Sequence, residues 1–436
     1  MPPLGRRRLS VICTSFIAFF AAPFAFAQAP PAQEAKPFRI GVVTFLSGAA
    51  AGPFGVPARN AAEVIAESLN AGEKVPAPYA KKGYGGRPLQ LVFIDEAGGT
   101  TKQVSEYRDL VQRQNVDAVI GYISSGDCLA VAPVAEELKK LTVLFDCGTP
   151  RIFEDASYKY VFRTAGHAAM DSAAAALYVA EKIPRVKRIA GINQNYAWGQ
   201  DSWTDFEVAI KTLRPDVEVI TSQMPKLYAG QYGAEISALL GARAEVIHSS
   251  LWGGDLEAFV LQAMPRGLLK KSVAVFTAAE TALNKLAGQI SDGTIIGARG
   301  SHGVYAPDNE LSRWLRAAYE ERFGLPPIYP AYHMSQAILG LKSAYEKAQG
   351  AGGGVPTQDA IIAAFEGLSF ETPSGTIRMA LGKGHQAIES TAYGRVKNIR
   401  GKLTLTEVKH FPAEKVNPPE GMKSVDWIKS ALKAAK

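Results

Sequence analysis

Long runs of one charge sign, closely spaced cysteine pairs and spanning-length apolar stretches beyond the N-terminus are all missing from this 436-residue sequence. Charged residues make up 20% of it, and 48 Lys and Arg against 41 Asp and Glu leave a formal charge of +7. Three of those positive charges cluster at Arg6, Arg7 and Arg8, ahead of any acid, so the remainder is nearly balanced. That balance gives no footing for a nucleic-acid partner. The chain also lacks GxxxxGK[ST], HExxH, GxSxG and paired CxxC motifs. Its six histidines, at 167, 248, 302, 333, 385 and 410, show no metal-ligand spacing. The glycines at 350–354 follow a helical pattern and not a strand, which argues against a phosphate cradle. Catalytic triads are not read from sequence position, so these absences alone do not dismiss catalysis. No catalytic residue, metal ligand or cofactor is assigned.

A hydrophobic content of 47% is ample for packed cores and excludes a disordered chain. The length suggests two or three domains at roughly 150 residues each. The N-terminus reads as a secretory signal: Arg6-Arg7-Arg8 form a positive region, Val11 to Phe26 is apolar, and Ala25-Phe26-Ala27 gives a small-x-small cleavage pattern. Cleavage near Ala27 leaves a mature chain from Gln28 with a flexible segment over 28–37. The other reading is an uncleaved anchor, but the stretch is short for the ~20 residues a spanning helix needs. General secretory and twin-Arg export both fit the Arg cluster. Cys13 lies inside the signal and not at its end, which argues against a lipoprotein anchor.

After Pro37 the apolar pattern alternates between short β-branched runs and helical spacing. The runs are Phe38–Phe45, Leu89–Ile94, Val116–Ile123, Leu141–Phe145, Arg188–Ile192, Val217–Thr221, Glu245–His248, Val273–Phe276 and Thr294–Gly297. Between them, Trp203, Phe206, Ile210 and Leu213 recur on one helical face, as do Val104, Tyr107 and Val111. Strands recurring every roughly 25–30 residues with helices between them are the mark of βαβ units and parallel sheets. Ligands of such sheets bind beyond the carboxyl ends of the strands. The loops to read are therefore Phe45–Gly55, Gly121–Cys128, Asp146–Arg151, Asn193–Gly199, His248–Asp255 and Thr277–Thr281. After about Gly300 the pattern changes to helices over Leu311–Phe323 and Tyr332–Lys347. An extended linker over Phe411–Gly421 then leads to a short basic helix with Val425, Ile428 and Leu432 on one side.

Ile40–Gly48 (IGVVTFLSG) followed by Phe54-Gly55, Ile120–Glu137 (IGYISSGDCLAVAPVAEE), Phe162-Arg163-Thr164-Ala165 and Asn195-Tyr196-Ala197-Trp198-Gly199 occur in this order along the mature chain. The ordered set resembles periplasmic solute-binding proteins of the branched-chain amino acid type. The resemblance implies two doubly wound α/β lobes joined by three hinge strands and closing over a small ligand. It implies lobe 1 over 38–165 and 301–388, lobe 2 over 166–300 and 389–410, and a linker and C-terminal helix over 411–436. It further implies a monomer in the periplasm that delivers its ligand to the membrane-embedded permease of an ABC importer.

The same resemblance assigns site residues. Ser125, in a loop that opens a helix, matches the serine that holds a ligand carboxylate. Gly148 and Thr149 match a small-residue and Thr pair that also contacts ligand. Phe54 stands where an aromatic covers the ligand, and Tyr196, Trp198 and Trp252 offer rings from the opposing lobe. Glu280, in FTAAETA, matches a glutamate that pairs the α-ammonium of an amino acid. Each has a plainer alternative: a helix cap for Ser125, a tight turn before Pro150 for Gly148 and Thr149, core aromatics, and a helix-dipole acid for Glu280. Glu280 points to an amino acid, branched-chain or aromatic. Asp127 and Asp146 lie close to the carboxylate loops and oppose an anion, and four large aromatics do not suit leucine. An aromatic acid, an amide or urea is the alternative ligand class. A periplasmic sensor or a secreted α/β enzyme is the alternative function. Beyond Cys13 only Cys128 and Cys147 remain, each following the end of one of two consecutive strands. They form either a disulfide or two buried thiols.

Overall fold

The computed structural model describes Ser10 and residues 36–72, 75–400 and 402–434. The expected signal, Ser10 apart, and its cleavage site at Ala27 lie outside the described residues. The first half contributes strands β1 (Phe38–Thr44), β2 (Leu89–Asp95), β3 (Ala118–Gly121), β4 (Thr142–Leu144) and β5 (Val161–Arg163). The middle contributes β6 (Arg188–Ile192), β7 (Glu218–Gln223), β8 (Val246–Ser249), β9 (Val273–Phe276) and β10 (Ile295–Gly297). The last part contributes β11 (Ser369–Thr372), β12 (Gly375–Leu381), β13 (Gln386–Ile388), β14 (Thr391–Ile399) and β15 (Lys402–Phe411).

These strands build two sheets, ordered β11-β12-β13-β5-β4-β3-β1-β2 and β15-β14-β10-β9-β8-β6-β7. Strands β1 to β5 are mutually parallel where they pair, and so are β6 to β10; the antiparallel pairings involve the late strands β11 to β15. The period-2 geometry of a strand sends successive side chains to opposite faces. Ile40, Val42, Ile120 and Val143 therefore enter one core, and Val43, Val119 and Leu144 enter another on the far face. Burial on both faces explains why these strands read as unbroken apolar runs. In the second sheet, Ile192, Ile247 and Phe276 face the first of those cores, while Ile189, Val246 and Val275 pack on a third.

All nine expected strands are present, within two residues at most ends. Strand β5 and the five late strands are additional. The long helix begins at Tyr329 and not at Tyr332, because Pro330 sits in its first turn, where a missing N–H costs nothing. The tail is not wholly extended: Ala413–Val416 forms a helical turn. The helix Ser424–Ala434 then buries Trp427, Ile428 and Leu432 against the helix Ala197–Leu213, while Val425 is half-buried.

The chain passes between the two sheets three times, after β5, after β10 and after β13. The crossings bond to one another. The Gly166 N–H donates to Glu389 Oε1 at 2.6 Å, and the hydroxyls of Ser301 and Ser390 meet at 2.9 Å. Among the described residues, no helix is long and apolar enough to cross a membrane.

Candidate functional site

The loops beyond β1, β3 and β4 of one sheet face those beyond β6, β8 and β9 of the other. Their shape starts with Glu96, at the end of β2, which is buried and accepts the N–H groups of Ile123 (2.8 Å) and Ser124 (2.7 Å). The helix Ser125–Glu137 follows at once, and Ser124 is its cap, its Oγ accepting the Asp127 N–H. Ser125 is thereby released from capping. Its Oγ accepts the N–H groups of Gly148 (3.1 Å) and Thr149 (3.2 Å). A hydroxyl has two acceptor sites and one donor, so what Ser125 still has to offer is its O–H. A disulfide joins Cys128 and Cys147 with Cα atoms 6.5 Å apart. It lies one helical turn from Ser125 and one residue before Gly148, and so braces that contact.

Ser125, Gly148 and Phe54 from one side meet Tyr196, Trp198 and Trp252 from the other around a narrow cavity of about 10 Å3, so the rings from the two sides are nearly closed on one another. Phe54 stands edge-on to Trp252, with ring centroids 5.0 Å apart, and to Tyr329, at 5.3 Å. Trp252 Nε1 donates to the Tyr196 hydroxyl (2.8 Å), and Trp198 Nε1 donates to the Ser250 carbonyl (2.9 Å). The indole N–H groups are thus satisfied by protein, and the rings supply apolar surface to the cavity. Gly148 is required by close approach: a Cβ there would lie 2.3 Å from Trp198 Cζ3.

Besides the six residues assigned in the sequence, Ile123, Ala278, Tyr329, Arg299 and its partner Asp146 line the cavity. In the sequence, Asp146 stands only as an obstacle to an anion. Arg299 lies on the second crossing and adopts a left-handed backbone, φ 50°, that non-glycine residues rarely take. It is held from all sides. Its Nη1 donates to both the carbonyl and Oδ1 of Asp146 (2.6 Å each), and its Nε to Asp171 Oδ2 (3.3 Å). Its guanidinium lies 4.5 Å from the centre of the Trp198 ring. His333 completes the set, with Nδ1 2.9 Å from Asp146 Oδ1 and Nε2 3.2 Å from the Arg299 carbonyl. Burial pushes the Asp171 carboxyl up to about 7. The crossings also draw together His302, His333 and Glu389, whose spacing in the sequence gave no hint of a cluster. Glu389 already accepts from Gly166 and Gln336, and His302 Nδ1 bonds Ser374. Nothing in the sequence pattern pointed to Arg299, because the residues that hold it come from four distant segments.

Two expected site residues stand off the cavity. Thr149 turns its hydroxyl to Asp201 Oδ2 (2.6 Å), across the two sets of loops. Glu280 is buried, and its Oε2 accepts the Tyr329 N–H at 2.9 Å, capping the start of the long helix. It lines a separate cavity with Arg316 and Tyr332. Burial pushes its carboxyl up to about 7, offset in part by the N–H groups of Tyr329 and Val304. Asp127 flanks a neighbouring cavity beside Glu96, and burial raises it to about 6.

The family described as periplasmic binding protein matches residues 37–402. Solved structures share the fold. A solute-binding protein of an ABC transporter from Rhodopseudomonas palustris BisB5, in complex with 3,4-dihydroxybenzoic acid, is 20% identical, with a TM-score of 0.72 over 86% of this chain and 98% of that one. A leucine-, isoleucine-, valine-, threonine- and alanine-binding protein from Brucella ovis is 20% identical, with a TM-score of 0.72 over 89% of this chain and 98% of that one. The branched-chain amino acid transporter substrate-binding protein LivJ from Streptococcus pneumoniae, in complex with isoleucine, is 16% identical, with a TM-score of 0.72 over 86% and 100%. No curated protein matches the chain in sequence.

Proposed function

The chain belongs to the periplasmic binding protein family, and from that premise we propose that it is an exported receptor that captures a small planar aromatic solute and hands it to the membrane-embedded permease of an ABC importer. Family members are transport receptors and not enzymes, and the solved relatives are solute-binding proteins. The observation that carries the ligand class is the ring count: Phe54, Tyr196, Trp198, Trp252 and Tyr329 all line one small cavity. Such walls bury a flat apolar body from both sides, while a few polar groups set its orientation. The amino-acid reading needs Glu280 to face the ammonium, and Glu280 is spent on the Tyr329 N–H instead. The relatives bind both classes and at 16–20% identity favour neither.

The mechanism follows from the placement of the rings. One sheet supplies Phe54, Ser125 and Gly148; the other supplies Tyr196, Trp198 and Trp252. A solute between them contacts both sets only when the lobes are together, so it binds the closed state better and shifts the population towards it. Closure around the three crossings is the signal that a permease reads. The leader read in the sequence supports a receptor that works in the periplasm.

A thermal-shift screen of single-ring aromatic acids and amides, free amino acids and urea tests the reading. Ligand at about 100 times its Kd adds about 2.7 kcal/mol of stability, and a receptor returns the ligand unchanged. Aromatic compounds should raise the Tm. A rise with aliphatic amino acids alone would replace the aromatic reading, and no rise with any compound would remove the receptor reading.

A further inference from the structure

Asp146 lines the cavity and is fully buried. Its Oδ1 accepts from Arg299 Nη1 and lies 2.9 Å from His333 Nδ1. Its Oδ2 is buried with no hydrogen-bond partner. A buried acceptor left without a partner is costly, more so for a charged group, so a ligand that satisfies it recovers that cost. On the same side of the cavity, Ser125 has both acceptor sites filled by backbone N–H groups and only its O–H free. This wall therefore offers an unpaired acceptor at Asp146 Oδ2 and a donor at the Ser125 hydroxyl among the rings.

We propose that Asp146 is the specificity residue of this cavity and that the ligand is a planar aromatic carrying a hydroxyl or amino hydrogen-bond donor for Asp146 Oδ2, together with an acceptor group for the Ser125 O–H. The inference rests on the aromatic-receptor reading above. Arg299 is what makes it workable. Bound to Asp146 and stacked on Trp198, it offsets the carboxylate charge, so a neutral phenol or aniline donor suffices and a ligand cation is not needed. A site that holds an unpaired buried acceptor discriminates strongly against an analogue lacking the donor, because that analogue leaves the acceptor orphaned.

The test is calorimetry with matched probes: benzoate and its 3- and 4-hydroxy, amino and methoxy derivatives. Wild-type protein should bind the best hydroxy or amino probe about 10- to 150-fold more tightly than its methoxy or unsubstituted counterpart, the range for a hydrogen bond to a charged group. In Asp146→Asn the side-chain oxygen must face Arg299 Nη1, which puts the NH2 where Oδ2 was. The preference should then vanish or invert towards methoxy probes. Equal binding of all probes by the wild type, or an unchanged preference in Asp146→Asn, overturns the inference and leaves the receptor reading standing. Binding of none overturns both. Should Asp146→Asn fail to fold, as its apo melting curve would report, the wild-type pairs decide alone.

Discussion

Glu280→Gln separates the two ligand classes and carries a stability effect whose sign can be worked out beforehand. Glu280 is buried, with a native pKa pushed up to about 7 from an ordinary value of 4.5. A carboxyl raised in this way binds its proton more tightly in the folded chain than in the unfolded one. Its contribution is fully present below about pH 4.5 and is lost as pH rises through about 7. At 1.36 kcal/mol per unit, that shift amounts to about 3 kcal/mol. The amide keeps an acceptor for the Tyr329 N–H but cannot ionise. Glu280→Gln should therefore match wild type near pH 4.5 and exceed it by about 3 kcal/mol near pH 8. Urea unfolding of both proteins across that range measures it. Asp171 and Asp127 are also raised by burial and titrate in the same window, but they do so in both proteins and cancel in the difference. A variant less stable than wild type near pH 8 would refute the reasoning, because it would mean that the folded chain holds the carboxylate ionised and paired. Affinity for an aromatic ligand should stay within about threefold, since Glu280 does not line the cavity. A loss of tenfold or more, about 1.4 kcal/mol, for a zwitterionic amino acid would return Glu280 to the cleft.

Two further outcomes follow from the same cavity. Gly148→Ala places a Cβ 2.3 Å from Trp198 Cζ3 and 2.7 Å from Arg299 Nη2; it should cost about 1–3 kcal/mol in urea unfolding and weaken ligand binding by calorimetry, as overpacked sites do. Reducing the Cys128–Cys147 bridge, which spans 19 residues, should lower stability by about 3 kcal/mol in the loop-entropy account. An unfolding midpoint unmoved by dithiothreitol would count against the pairing.

The two-sheet architecture was legible because fully buried parallel strands leave a short apolar run each, and β1, β3 and β8 are buried along nearly their whole length. The missed strands failed for different reasons. Strand β5 has three residues, too few to show a period. Strand β12 does alternate, with Ile377, Met379 and Leu381 inward and Thr376, Arg378 and Ala380 outward, so its period-2 signal is present in the sequence. At the site, the residues contributed by loops at strand ends were legible: Phe54, Ser125, Gly148, Tyr196, Trp198 and Trp252 do meet. Arg299 was not, because what places it is a left-handed turn on a crossing together with Asp146, Asp171 and His333, which come from separate parts of the chain. Local pattern tells which residues stand at the carboxyl ends of strands. It does not tell which polar atoms remain unpaired once those residues meet, and specificity depends on that remainder. Asp146 shows the difference. As a letter in the sequence it is a negative charge beside a carboxylate loop and argues against an anionic ligand. In the folded chain, Arg299 and His333 occupy one of its oxygens and Arg299 offsets its charge, so what it presents is a single fixed acceptor. The same residue thereby changes from a reason to exclude a ligand into the group that selects one.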